Sequence, residues 1–276
     1  MLHSLYCRLS RGNPWLKARA FSLGYETLSR VFFRQRPVHF LNYGFESADS
    51  LKPRLLAEDE PDRASIQLYH HLASQGPVAH ARVLEIGCGR GGGASYLARY
   101  FQPREVIGMD ISPSAVRYCR SSHGAEGLSF LVGDAESVPF PAASFDVVLN
   151  VESSHCYGSM SRFLAEVRRI LRPGGHFLFC DVRPAADVEA LCQAMADSRL
   201  EIVSRGDITP QVLRALERES DTRKEQIRRV FPRWLHASVF DFSGVAPGTV
   251  FESFSAGTRR YLSFMLRAPV GSEAAP

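Results

Sequence analysis

An α/β fold built on a mostly parallel sheet is the architecture this sequence predicts, and three observations carry it. The stretch 83–93, VLEIGCGRGGG, joins a short apolar strand to a glycine-rich turn, and a helix opens at 94–100. Further short apolar strands follow, and acidic residues sit at or just after their ends. The 276 residues, 45% apolar and 22% charged, can bury one α/β core plus extra elements, as a single domain with a cap.

The glycine turn reads as a cofactor loop, because glycine lets the backbone turn tightly and approach a ligand. Gly87, Gly89 and Gly92 also match the G-x-G-x-x-G spacing of dinucleotide-binding folds, so spacing alone leaves the ligand open. Glu85, two residues before the first glycine, would repel a phosphate and attract an ammonium group, which favours a cationic ligand.

The second strand, 105–110, ends in Asp110, a bidentate acceptor suited to a ribose diol. The third, 128–132, runs into Gly133, Asp134, Ala135 and Glu136, where Asp134 can accept from an exocyclic adenine amine and the next N–H can donate to the ring. A fourth strand, 144–151, contains Asn150 and leads into the loop Glu152 to Tyr157. A helix over 161–171, the turn Arg172-Pro173-Gly174-Gly175 and a fifth strand over 176–181 follow. Next come a helix near 188–196, a strand over 200–208 and a last strand over 260–267.

Taken together and in order, E-x-G-x-G-x-G, the Asp after the second strand, G-D-A after the third and L-R-P-G-G before the fifth resemble the class I S-adenosylmethionine (SAM) dependent methyltransferases. The resemblance covers 62–182. It implies a Rossmann-like, seven-stranded, mostly parallel sheet with an antiparallel last strand, an N-terminal helical segment and a helical lid between the last two strands. It implies SAM as cofactor: Glu85, Gly87 and Gly89 at the methionine end, Cys88 among the cofactor-binding residues of the same turn, Asp110 on the ribose, Ile111 flanking the adenine, Asp134 and Ala135 reading its edge, and Asn150 closing the pocket near the sulfonium.

The chain further resembles bacterial O-methyltransferases of long-chain diol lipids and polyketides, of the phthiotriol dimycocerosate type. The matching stretches are 40–46 (FLNYGFE), Tyr69-His70, 91–96 (GGGASY) and 150–157 (NVESSHCY). By that resemblance the segment around Tyr43 folds over the cofactor, and Tyr43 hydrogen-bonds the SAM carboxylate. The implied domains are 1–61, helical and cofactor-covering, and 62–276, the SAM-binding domain with a lid at about 210–255.

The lid segment carries a helix from Pro210 to about Glu219, a second over 223–230, and the rings Phe231, Trp234, Phe240, Phe242, Phe251 and Phe254. Such an insertion lies where ligands bind in open α/β sheets, and its aromatic density suits a large apolar substrate. Methylating an aliphatic hydroxyl calls for a positioned base, and His155, just past the fourth strand, is the candidate catalytic residue. Glu152 is a substrate-side residue that could orient His155, Tyr157 could hold a substrate oxygen, and His236 of the lid could touch substrate. Of the others, His70 is placed to reach the cofactor cleft, His71 to face solvent, and His176 to be structural. Asp181 reads as a rim residue paired with Arg183, and with Asp187 it does not form a Mg²⁺ site, so a metal-free enzyme is expected.

The net charge of +4 and the lack of an aromatic-interleaved basic tract argue against nucleic-acid binding. Six cysteines without C-x-x-C pairs read as free thiols in a reducing cytoplasm, and no membrane span or signal peptide is visible. The first 37 residues hold Arg8, Arg11, Lys17, Arg19, Arg30, Arg34 and Arg36 against Glu26. Phe21, Tyr25, Leu28 and Phe32 recur there at helical spacing, which suits a helix packed on the core or one touching a membrane surface. A homo-oligomer is compatible with the sequence. The functional expectation is O-methylation of a hydroxyl on a large apolar polyketide or lipid. The alternatives are a C-methyltransferase on a sterol-like or quinone-like acceptor, and a SAM fold recruited as a cyclase or binding protein.

Overall fold

The computed structural model describes residues 38–48 and 52–270. The aromatic helix expected within residues 21–32 lies outside them, and the described residues 38–48 run without helix.

Helix α1 (Arg63–Ala73) leads into β1 (Arg82–Ile86), α2 (Gly92–Tyr100), β2 (Glu105–Asp110), α3 (Pro113–Ser122), β3 (Leu128–Val132) and β4 (Phe145–Val151). Then come α4 (Met160–Ile170), β5 (Leu171–Pro184), α5 (Val188–Asp197) and β6 (Glu201–Asp207). The lid helices α6 (Thr209–Val230), α7 (His236–Phe242) and α8 (Thr249–Ser255) precede β7 (Arg259–Arg267). The strands form one seven-stranded sheet in the order β3-β2-β1-β4-β5-β7-β6. All neighbours are parallel except β7, which runs antiparallel to both β5 and β6.

Side-chain alternation along the strands splits the core in two. Val83, Val106, Val147, Leu149 and Leu178 pack on one face, with Tyr69 and Leu72 of α1, Leu97 of α2 and the lid residues Val212 and Leu216. Leu84, Ile86, Ile107, Val148, Phe177 and Phe179 pack on the other, against Phe163, Val167 and Ile170 of α4 and Leu191 of α5. Glu85, between Leu84 and Ile86, therefore points to the first face, beneath α1.

Two expectations change. The lid does not open with two helices: α6 is one helix of 22 residues, because 220–223 contains no glycine or proline to break it. Helix α3 was not anticipated, although Ser112 followed by Pro113 is its start signal: the Ser112 hydroxyl accepts from Ala115 N, and proline takes the first helical position.

Candidate active site

Strand β1 ends in a turn fixed mostly by backbone. The N–H groups of Gly87 and Cys88 both donate to Met109 O at 2.8 and 3.0 Å. Gly87 has φ +74°, and a Cβ there would strike Ser153 Oγ and lie 2.8 Å from Tyr157 Oη. Glycine is needed here on both counts. Asp110 accepts from Gly89 N (2.9 Å, Oδ2) and Ser112 N (2.9 Å, Oδ1), so its carboxylate ties the turn to the start of α3. Ile111 and Val132, at the ends of β2 and β3, are apolar yet 51% and 46% exposed, an open apolar ledge beside that turn. Asp134 is exposed and accepts from Glu136 N, while Ala135 is buried. The Cys88 side chain is buried in the core, its thiol pushed well up by the hydrogen bond with Cys119 and by burial.

Two buried acceptors beside the turn have no partner: Glu85 Oε2 and Asn150 Oδ1. The other Glu85 oxygen accepts from Tyr69 Oη at 2.7 Å. Burial pushes the Glu85 carboxyl up to about 8, a rise that the Tyr69 hydrogen bond only partly offsets. Asn150 Nδ2 donates to Ile86 O (2.9 Å), Ser153 Oγ (2.8 Å) and Tyr157 Oη (2.9 Å). Orphaned buried acceptors are costly, and the ammonium of a SAM methionine moiety is a donor of the right chemistry for them. These residues thus fit the cofactor that the motif implied.

The loop after β4 faces the turn through Ser153 and Tyr157, which share a 2.9 Å hydrogen bond. Tyr157 was expected to hold a substrate oxygen; its hydroxyl is instead engaged by Asn150 and Ser153, next to Gly87. Glu152 adopts φ +49°, an uncommon backbone state for an acid. Its Oε2 accepts from Tyr43 N (3.0 Å) and Tyr261 Oη (2.8 Å), and burial lifts its carboxyl to about 7.

Asp181, rather than Glu152, orients His155. It is fully buried, not on a rim, because β5 extends past it to Pro184. Asp181 Oδ1 lies 2.8 Å from His155 Nδ1, and Oδ2 accepts from His155 N at 2.9 Å and from the Ser154 hydroxyl. Arg183 Nη1 lies 3.0 Å from Oδ2. Burial alone would raise the Asp181 carboxyl, but Arg183, His155 and Ser154 outweigh it and hold it well below the usual carboxylate range. Burial pulls the His155 imidazole down, yet Cys156 and Asp181 prevail and lift it well above its ordinary value. The His155 side chain keeps 28% of its surface exposed, so it is open on one side.

The covering elements meet at Tyr43. Its hydroxyl lies 3.4 Å from Phe242 O, its ring packs edge-on against Phe254, and its carbonyl accepts from Arg223 Nη2 at 2.8 Å. Arg223 reaches from α6 and also donates to Ser243 O at 3.3 Å. His236 Nε2 is 2.8 Å from Phe231 O, within the lid itself. Of the remaining histidines, His70 binds Tyr96 Oη through Nδ1 at 2.8 Å, and His71 does not simply face solvent, since it stacks on Phe45 at 4.4 Å. Among the described residues no cluster of His, Cys, Asp and Glu could hold a metal ion, and no helix is long and apolar enough to cross a membrane.

Sequence reasoning did not assign Tyr69, Tyr261 and Arg223, and misplaced Asp181. Only Asp181 carried a local signal, an acid at the end of a strand like Asp110.

Comparison with known proteins agrees with this geometry. Residues 84–179 match a methyltransferase domain family. The chain is 47% identical over 198 residues to a fatty-acid O-methyltransferase of Mycolicibacterium smegmatis, covering 72% of each chain. It is 39% identical over 248 residues to a phthiotriol/phenolphthiotriol dimycocerosates methyltransferase of Mycobacterium leprae, covering 90% of this chain and 91% of that one. Among solved structures, the cyclase SpnF shares the fold with a TM-score of 0.63 at 21% identity, over 94% of this chain and 97% of that one. Geranyl diphosphate methyltransferase in complex with SAM gives a TM-score of 0.60 at 19% identity, over 83% of this chain and 99% of that one. Sheet order, glycine turn and full-length relatives converge: the chain belongs to the SAM-dependent methyltransferases.

Proposed function

We propose that the protein is an O-methyltransferase acting on a hydroxyl of a large apolar lipid or polyketide, with His155 as the base. The observation that carries this is the His155–Asp181 pair: a partly exposed imidazole held at Nδ1 by a fully buried carboxylate, on the loop packed against the glycine turn. When bound, SAM would supply an electrophilic methyl on a sulfonium, whose transfer to oxygen would break the S–CH3 bond and release the neutral thioether. The chain's part is to align the acceptor, exclude water and remove the proton. With Nδ1–H donated to Asp181, Nε2 takes the hydroxyl proton as the C–O bond forms. Asp181 then stabilises the imidazolium, and Arg183 and Ser154 keep Asp181 ionised and fixed. Tyr43, Arg223 and the lid rings close over the site from the other side. These relatives support a lipid acceptor by their names: one is a fatty-acid O-methyltransferase and the other a phthiotriol/phenolphthiotriol dimycocerosates methyltransferase.

A second acceptor, a fatty-acid carboxylate, is favoured by the buried Asp181 lying 2.8 Å from His155 Nδ1, a contact that supports a cationic imidazole able to hold a carboxylate, which needs no base. Incubating the chain with labelled SAM and a matched long-chain alcohol and fatty acid, followed by mass spectrometry, separates the two. A methyl ether supports the first, a methyl ester the second. A methyl on carbon returns the C-methyltransferase alternative, and a chain that binds SAM but transfers no methyl would be a recruited SAM fold.

A further inference from the structure

The tip of the lid has a composition that methyl transfer does not explain. Between Glu225 and Asp241 the chain has three arginines, Arg228, Arg229 and Arg233, and no acid. The tip is organised by a small core of its own, in which Ile227, Phe231, Leu235 and Val245 are buried together. Turning those residues inward leaves the arginines outward, with Trp234 beside them at 78% exposure. Arg229 has only a 3.5 Å ion pair with Glu225, both about as exposed as Trp234, and such pairs contribute little. Arg228 lies over the Phe240 ring at 5.8 Å.

Cations at the end of α6 suit its dipole, and that alone would account for Arg228 and Arg229. It does not account for an indole left in water, nor for Arg233 beyond the helix. An indole flanked by arginines, without acids, is the composition that settles at a membrane–water interface over anionic headgroups. The adjoining chain is a poor alternative occupant. Residues 1–37 join at Val38, which packs on this same small core, but they carry seven cations against one acid and so repel the patch.

We infer that the lid tip docks on an anionic lipid bilayer, with Trp234 in the headgroup layer and Arg228, Arg229 and Arg233 on lipid phosphates. The purpose of such docking, drawing an apolar acceptor from the bilayer under the lid, rests on the lipid reading of the acceptor; the contact itself does not.

The test uses the full chain with Trp15→Phe, so that Trp234 is the one remaining tryptophan, and phosphatidylcholine vesicles with or without phosphatidylglycerol. Sedimentation with the anionic vesicles only, and quenching of Trp234 by brominated acyl chains, are expected. Replacing all three arginines by glutamate should weaken binding by about 100-fold or more. Absence of vesicle binding overturns the proposal. So does unweakened binding by the triple variant, which would assign the contact to the basic N-terminus, or unchanged Trp234 emission on binding, which would leave the indole outside the bilayer. Circular dichroism confirms that the triple variant is folded, and Trp234→Ala, a single exposed change, gives an independent variant expected to weaken binding. A chain that binds vesicles through Trp234 but methylates no lipid supports the docking surface and overturns the acceptor assignment.

Discussion

His155 Nδ1 lies 2.8 Å from Asp181 Oδ1, and the same carboxylate also takes the backbone N–H of His155. One buried acid therefore fixes both the position of the loop and the rotation of the ring. Its negative charge is held by Arg183 and Ser154, so it cannot relax by taking a proton itself.

The first prediction concerns this pair. His155→Ala should lower kcat on an alcohol acceptor by about 10²- to 10⁴-fold with SAM affinity little changed. Asp181→Asn should lower kcat less, because the imidazole remains but its orientation and charge support are lost. Steady-state kinetics beside calorimetric SAM titration measures both; unaltered turnover in His155→Ala removes the base from the mechanism.

The pH profile distinguishes the two acceptors. A base must be neutral, so alcohol methylation should rise with pH through the raised pKa of His155, and Asp181→Asn should move that limb to lower pH. Carboxylate methylation with an imidazolium anchor should instead fall through the same pKa. Stability follows the sign of each shift. The His155 contribution is fully present below its unfolded value near 6.5 and is lost as pH rises through the higher folded value. The Asp181 contribution is present above the unfolded value near 3.9 and is lost as pH falls through the lower folded one. Thermal melts of the parent and Asp181→Asn across pH should show the parent's advantage shrinking at both ends.

Much of this site could be read from the sequence because its parts lie at strand ends. Gly87, Asp110 and His155 each follow or end a parallel strand, and a doubly wound sheet brings those ends together on one edge. Asp181 lies inside β5 rather than at its end, because pairing with the distant β7 carries the strand on to Pro184. Arg223 and Tyr261 were illegible for the same reason: the partners of each are remote in sequence, Arg223 and Tyr43 being 180 positions apart and Tyr261 and Glu152 being 109 positions apart. The single helix α6 was split in the sequence reading by its polar middle, which is solvated on one side and still carries buried Ser220 and Ile227 on the other. Helical spacing there was masked by charge.

Glu85 makes SAM binding a proton-linked event. Its carboxyl, pushed up to about 8 by burial, is largely protonated at neutral pH without ligand, and an ammonium placed against Oε2 would draw its pKa down. Binding at pH 7 should therefore release a fraction of a proton, read by calorimetry in buffers of different ionisation enthalpy. Glu85→Gln should abolish the release. The same variant should gain stability relative to the parent as pH rises from about 4 toward 8, because a carboxyl with a raised folded pKa costs stability over that window. Parent-like proton release in Glu85→Gln would assign the linkage to another group.

Arg223 couples the lid to the segment around Tyr43. Its guanidinium is half-buried among carbonyls, bonded to Tyr43 O and Ser243 O, and burial lowers its pKa, with Glu219 and Glu152 acting the other way. Opposite it, Glu152 holds Tyr43 N, so Tyr43 is gripped through both its backbone polar groups by two elements far apart in the chain. Arg223→Met keeps much of the side-chain volume and removes the donors, leaving Tyr43 O without this partner. The loss should be about 1–3 kcal/mol of stability, and it should be local. Hydrogen exchange should quicken in 38–48 and 209–245 while β1, β4 and β5 stay protected. Because SAM is proposed to lie beneath this segment, its dissociation should quicken too. Uniform loss of protection across the sheet would mean that Arg223 supports the whole domain rather than the cover over the site.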